Sequence, residues 1–149
     1  MLMIAAAVLI SMNACGQNAK DVPAKVKSGF DQKFPAAKKV KWGKENATEW
    51  EAEFTFNGKA YSANYTSDGT WLETEYSVAM SEVPADVTKT LAKEVPGYKL
   101  LGSDISETPK GKVYEFDIKT GNVKKEVAIN ADGTLVKIVT ETKKGDEKD

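Results

Sequence analysis

The chain has 149 residues, 41% hydrophobic and 29% charged, with a formal net charge of −1, which excludes a disordered or collagen-like polymer and fits one or two small packed units. All 21 basic residues are Lys and there is no His; without the bidentate Arg fork for phosphate or guanine, this near-neutral balance argues against nucleic acid as the main partner. A single cysteine, Cys15, rules out an intramolecular disulfide and a thiolate metal cage.

The chain opens with "MLMIAAAVLISM", an uncharged 12-residue run too short to span a bilayer as a helix and suited to the apolar core of a signal peptide. It leads into "NAC", a small residue followed by Cys15. This stretch resembles a bacterial lipoprotein signal, which implies cleavage after residue 14, acylation of Cys15 and a short tether over residues 15–21. The alternative is a buried N-terminal helix carrying an ordinary core cysteine.

Next, Val22, Val26, Phe30 and Phe34 recur every four residues, and Val83, Val87, Leu91 and Val95 repeat the spacing under nearly the same words, "VPAKVKSGFDQKFP" and "VPADVTKTLAKEVP". Each stripe predicts an amphipathic helix. Asp21 and Ser81 stand where N-caps are expected, Pro23 and Pro84 in the first turn, and Pro35 or Pro96-Gly97 at the stop.

After each helix the apolar period changes to two. "KVKW", "EWEAEFTF", "KAYSANYT" and "TWLETEYS" read as strands, the last three joined at Asn57-Gly58 and Asp68-Gly69, dipeptides suited to two-residue hairpin turns. The second half answers with "KLLG", "VYEFDIK", "KKEVAIN" and "TLVKIVT", turning at Gly121-Asn122 and Asp132-Gly133. Two-residue loops set the register. They pair Trp50, Ala52 and Phe54 with Tyr65, Ala63 and Tyr61, and then Tyr65, Ala63 and Tyr61 with Leu72, Thr74 and Tyr76. In the second half Tyr114, Phe116 and Ile118 face Ile129, Val127 and Lys125, with Val136 and Ile138 continuing the apolar face. Trp71 pairs with Thr66 and is expected on the opposite, polar face.

The predicted fold is therefore α+β: a tandem repeat of one helix and a four-strand meander, merging into one eight-stranded antiparallel sheet with both helices on one face. A unit of about 60 residues is marginal alone, and sharing a sheet remedies that. The expected boundaries are a signal peptide at 1–14, a tether at 15–21, repeats at 22–78 and 79–142, and a solvated, mixed-charge tail at 143–149.

Val22-Pro23-Ala24, Phe34-Pro35, Trp50 through Phe54, Asn57-Gly58-Lys59, Tyr61 and Asp68 through Glu75 together resemble the PepSY-like periplasmic proteins, which share the fold of the beta-lactamase inhibitor protein. The second copy keeps Val83-Pro84-Ala85, Tyr114-Glu115 and Asp132-Gly133-Thr134. The resemblance implies this fold and an envelope location, but no established activity.

Chemistry is sparse. A Ser or Cys nucleophile has no His as its base, and the paired Glu51/Glu53 and Glu73/Glu75 come with no sign of a catalytic cleft. "SDGT" and "NADGT" lack the twelve-residue ligand series of a calcium loop and read as turns. No enzyme activity, metal or cofactor is expected. Ten of the 13 aromatics, including all three Trp, lie in the first repeat. This concentration suggests either an aromatic edge that covers the junction between the repeats or a recognition surface on the open sheet face, with Trp71 as anchor among Glu51, Glu53, Asn64, Glu73 and Glu75. The expected partner is a protein or peptide, with membrane contact only through lipid on Cys15 and the chain itself monomeric. The rival reading is a structural or stress-related envelope lipoprotein whose open face is merely solvated.

Overall fold

A computed structural model describes residues 21–141; the leader, Cys15 and the 143–149 tail lie outside the described residues. The element order is α1 (Ala24–Lys33), β1 (Lys38–Lys44), β2 (Glu49–Phe56), β3 (Lys59–Thr66), β4 (Trp71–Ser77), a single 3-10 turn (Met80–Glu82), α2 (Ala85–Glu94), β5 (Lys99–Thr108), β6 (Gly111–Thr120), β7 (Val123–Asn130) and β8 (Leu135–Thr140). The strands form one antiparallel sheet in chain order, β1 to β8. The order of one helix and four strands occurs twice, and β4 pairing with β5 joins the halves.

Both apolar stripes are buried: Val22, Val26, Phe30 and Phe34 under α1, and Val83, Val87, Leu91 and Val95 under α2. The buried residues form two clusters, one beneath each helix. That under α1 is aromatic, with Phe30 within 6.2 Å of the rings of Phe34, Trp42, Phe54 and Tyr65. That under α2 is largely aliphatic, built on Leu91, Ile118, Val127 and Ile129 around Phe116.

The helix starts differ from the sequence expectation. Pro23 and Pro84 are themselves the N-caps, with ψ of 141° and 145° and no side-chain cap. Their carbonyls accept the first helical bonds, from Val26 at 3.0 Å and from Thr88 at 3.1 Å. Asp21 and Ser81 cap neither helix, because the residue before each proline, Val22 or Val83, is kept out of the helical region and the helix starts only beyond the proline. The stops fall as expected, with Phe34 and Val95 as C-caps ahead of Pro35 and Pro96.

Strand β1 extends to Lys44, beyond the "KVKW" expected. Strand β5 runs ten residues rather than the four of "KLLG". A register shift between Leu100 and Gly102 leaves Leu101 47% exposed and interrupts the period of two. The residues beyond it alternate about the opposite phase, so the sequence pattern hides the strand's second half.

The pairing of β2 with β3 and of β6 with β7 is the one predicted, residue for residue. The following hairpin keeps the predicted Tyr61–Tyr76 and Ala63–Thr74 pairs and departs from prediction only near the turn, in the same way in both repeats. A bulge between Asn64 and Tyr65 brings Trp71 opposite Tyr65, and another between Ala128 and Ile129 brings Leu135 opposite Ile129. In each, Asp-Gly-Thr closes the turn: the Thr70 and Thr134 amides donate to Asp68 at 3.1 Å and Asp132 at 2.8 Å. Their carbonyls accept from the Thr66 and Asn130 amides, both at 2.9 Å. Two expectations are thereby corrected. Leu135, not Val136, packs on the core under α2, and Trp71 packs on the core under α1.

Candidate functional site

The face away from the helices is assembled from alternate residues of every strand. Register carries one row from Lys41 through Glu53, Ser62, Glu75, Ser106 and Val113 to Asn130. Adjacent rows run Glu51, Asn64, Glu73; Ser77, Asp104, Glu115, Ala128, Lys137; and Asp117, Glu126, Val139. Five strands thus place eight carboxylates on one surface: Glu51, Glu53, Glu73, Glu75, Asp104, Glu115, Asp117 and Glu126. Lys41 and Lys137 stand at the margins.

Among the described residues no layer covers this face, yet all eight acids are only half-exposed, because the side chains crowd one another. Two hydrogen bonds and one ion pair relieve a few of them. The Ser77 hydroxyl donates to Asp104 at 2.7 Å, the buried Ser106 hydroxyl donates to Glu73, and Lys137 pairs with Glu126 at 2.7 Å. At four of the other acids the charged form is disfavoured. Burial, then the charges of Glu73, Glu115, Asp104 and Glu51, push the Glu75 carboxyl up to about 8. Burial and then Glu126 push Glu115 up to about 7, against the lowering effect of Lys137. Glu51 and Asp117 are raised as well, each mainly by burial and then by a neighbouring acid, Glu45 and Asp104 respectively. Among the described residues no three His, Cys, Asp or Glu groups are disposed to hold a metal ion, so the surface is a spread of charge rather than a cage.

Of the residues named from sequence, Glu51, Glu53, Asn64, Glu73 and Glu75 share this face and adjoin one another. Trp71 does not. The bulge rotates it to the helix side, where its indole N–H donates to the Glu73 carbonyl at 2.8 Å and the Thr74 hydroxyl at 2.9 Å. The Lys33 ammonium lies 3.5 Å from its ring centroid, a cation–π contact. Sequence reasoning missed Asp104, Glu115, Asp117 and Glu126. Glu115 and Asp117 were legible as the polar alternates of Tyr114, Phe116 and Ile118, whereas Asp104 sits in the half of β5 hidden by its bulge.

Solved structures with this fold include a DUF2874 family protein from Bacteroides uniformis, 20% identical, with a TM-score of 0.75 over 83% of this chain and 92% of that one. A BLIP-like protein from Bacteroides fragilis is 17% identical, with a TM-score of 0.73 over 85% of this chain and 92% of that one. A third, from Bacteroides eggerthii, is described among "putative periplasmic proteins" and is 18% identical, with a TM-score of 0.72 over 80% of this chain and 88% of that one. No curated protein gives a significant match. The family described as "Putative beta-lactamase-inhibitor-like, PepSY-like" matches residues 48–137, more than half of the 149 residues and reaching from β2 into β8. The chain belongs to that PepSY-like family.

Proposed function

We propose that the protein is a non-enzymatic module of the periplasm or cell envelope, held there by lipid on Cys15, that binds a basic protein or peptide on its open sheet face. The observation that carries this reading is the crowding of carboxylates from five strands, with Glu75 and Glu115 lifted to about 8 and about 7. Such crowding opposes folding, since ionised acids in contact repel and lose hydration. Lys or Arg side chains of a partner relieve both terms, and steering by one sign of charge speeds encounter. The periplasmic description of a structural neighbour and the apolar leader ending at Cys15 support the location.

The test is affinity capture from envelope extract with wild type and with Glu75→Lys and Glu115→Lys. A retained basic protein that is lost in both reversals and released by salt supports the reading. If wild type retains nothing, or if the reversals retain the same proteins equally well, the face is only solvated and the structural reading replaces it. Labelling with palmitate, abolished in Cys15→Ser, tests the anchor separately.

A further inference from the structure

A second surface lies on the opposite side of the sheet, where the C-terminal end of α1 meets the β4–β5 junction. A cleft of about 220 Å³ opens there between Lys33, Phe34, Phe56, Tyr61, Thr74, Tyr76 and Glu107. All four apolar side chains that line it carry aromatic rings. Tyr61 and Tyr76, partners across β3 and β4, stack with centroids 4.7 Å apart. Phe56 meets Tyr61 edge-on at 5.7 Å and Phe34 at 5.5 Å. Phe56, Tyr61 and Tyr76 are half-exposed, so part of each residue remains open to solvent beside these ring contacts.

The two charges at the cleft are not equivalent. Glu107 is matched by Lys112 at 3.6 Å. Lys33 makes no ion pair among the described residues. Its ammonium lies over the Trp71 ring and 5.8 Å from the Phe34 centroid, leaving its donors for an anion at the cleft's edge. Flat apolar walls favour a planar ring in offset or edge-on contact, and an unpaired ammonium favours a carboxylate.

We infer that this cleft binds a small planar ring bearing a carboxylate on a short arm, with the ring against Tyr61, Tyr76 and Phe56 and the acid on Lys33. A free aromatic acid and the C-terminal aromatic residue of a peptide share that chemistry.

The test follows the aromatic NMR signals of the folded protein during titration with 3-phenylpropionate, its neutral amide, and N-acetyl-glycyl-phenylalanine. Saturable shifts at Tyr61, Tyr76 and Phe56 are expected, with the acid binding about tenfold more tightly than the amide, the worth of one charge-assisted hydrogen bond. Lys33→Gln removes that preference and leaves amide binding unchanged. Tighter binding of the dipeptide than of phenylpropionate identifies a chain terminus as the ligand, and equal or weaker binding a free acid. Absence of saturable shifts, or equal binding of acid and amide by wild type, overturns the inference. Shifts confined to the open face also overturn it. The acid and amide comparison uses unaltered protein, so it stands even if Lys33→Gln disturbs Trp71, and neither outcome bears on the carboxylate face.

Discussion

The two repeats build one joint, the last hairpin of each packed against the helix that begins it, from different materials. In the first, a Cβ on Gly29 would lie 2.6 Å from the Gly69 carbonyl oxygen, and one on Gly69 would lie 2.4 Å from that of Lys25. Backbone rests on backbone. In the second, a Cβ on Gly133 would meet Asp86 at 3.1 Å, and the Thr90 hydroxyl donates to the Gly133 carbonyl at 2.7 Å. Both joints bring a turn glycine against helix backbone, more closely in the first, and the second adds one hydroxyl bond. The cores diverge likewise, rings beneath α1 and branched aliphatics beneath α2. Backbone path and bulge position are common to both, so the architecture tolerates either filling provided that hairpin and helix remain in contact.

The largest expected effect comes from emptying each core. Phe30 is 2% exposed and Leu91 fully buried, so Phe30→Ala should cost about 3–5 kcal/mol and Leu91→Ala about 2–5 kcal/mol. Calorimetry decides whether the repeats are coupled: a single transition lowered by either substitution means that the shared sheet unites them. Two transitions, each moved only by its own substitution, would show that the clusters melt separately.

The joints give a smaller contrast. Gly29→Ala drives a methyl into the Gly69 carbonyl and should cost about 1–3 kcal/mol. Thr90→Val gives up one hydrogen bond, worth about 1 kcal/mol. Urea midpoints that place Thr90→Val at or above Gly29→Ala would contradict this account of the first joint.

A last contrast compares Glu75 of the first repeat with Glu115 of the second. A carboxyl whose pKa is raised on folding holds its proton where the unfolded chain has lost it. Stability is therefore full below the unfolded value of 4.5 and declines as pH rises towards about 8 for Glu75 and about 7 for Glu115. The melting temperature should fall between pH 5 and pH 8, and Glu75→Gln should flatten that fall to a higher pH than Glu115→Gln does. A melting temperature that climbs with pH through this range would refute the crowding on which the open face rests.

Most of the architecture was legible because it is written locally. Four-residue spacing from Val22 to Phe34 and from Val83 to Val95 marks one face of a helix. Alternation through "EWEAEF" and "VYEFDI" marks strands half-buried on one side, and Asn57-Gly58 and Gly121-Asn122 set two registers that hold along the whole hairpin. Those signals depend on neighbours a few residues apart, and they also put Glu51, Glu53, Asn64, Glu73 and Glu75 correctly on a common face.

What remained for the tertiary structure is what depends on contact between distant segments. Trp71 faces the core because Gly69 lies against the backbone of α1 and the hairpin takes up an extra residue, and no alternation within "DGTWLETE" encodes that contact. The same bulge in the second repeat exchanges Val136 for Leu135. The meeting of Glu75 with Asp104 and Glu115 required β4 to pair with β5 across the boundary between repeats. Sequence alone determined which residues alternate, whereas only the packed sheet determined which alternates become neighbours, because register across a bulge is set by the surface against which the strand rests.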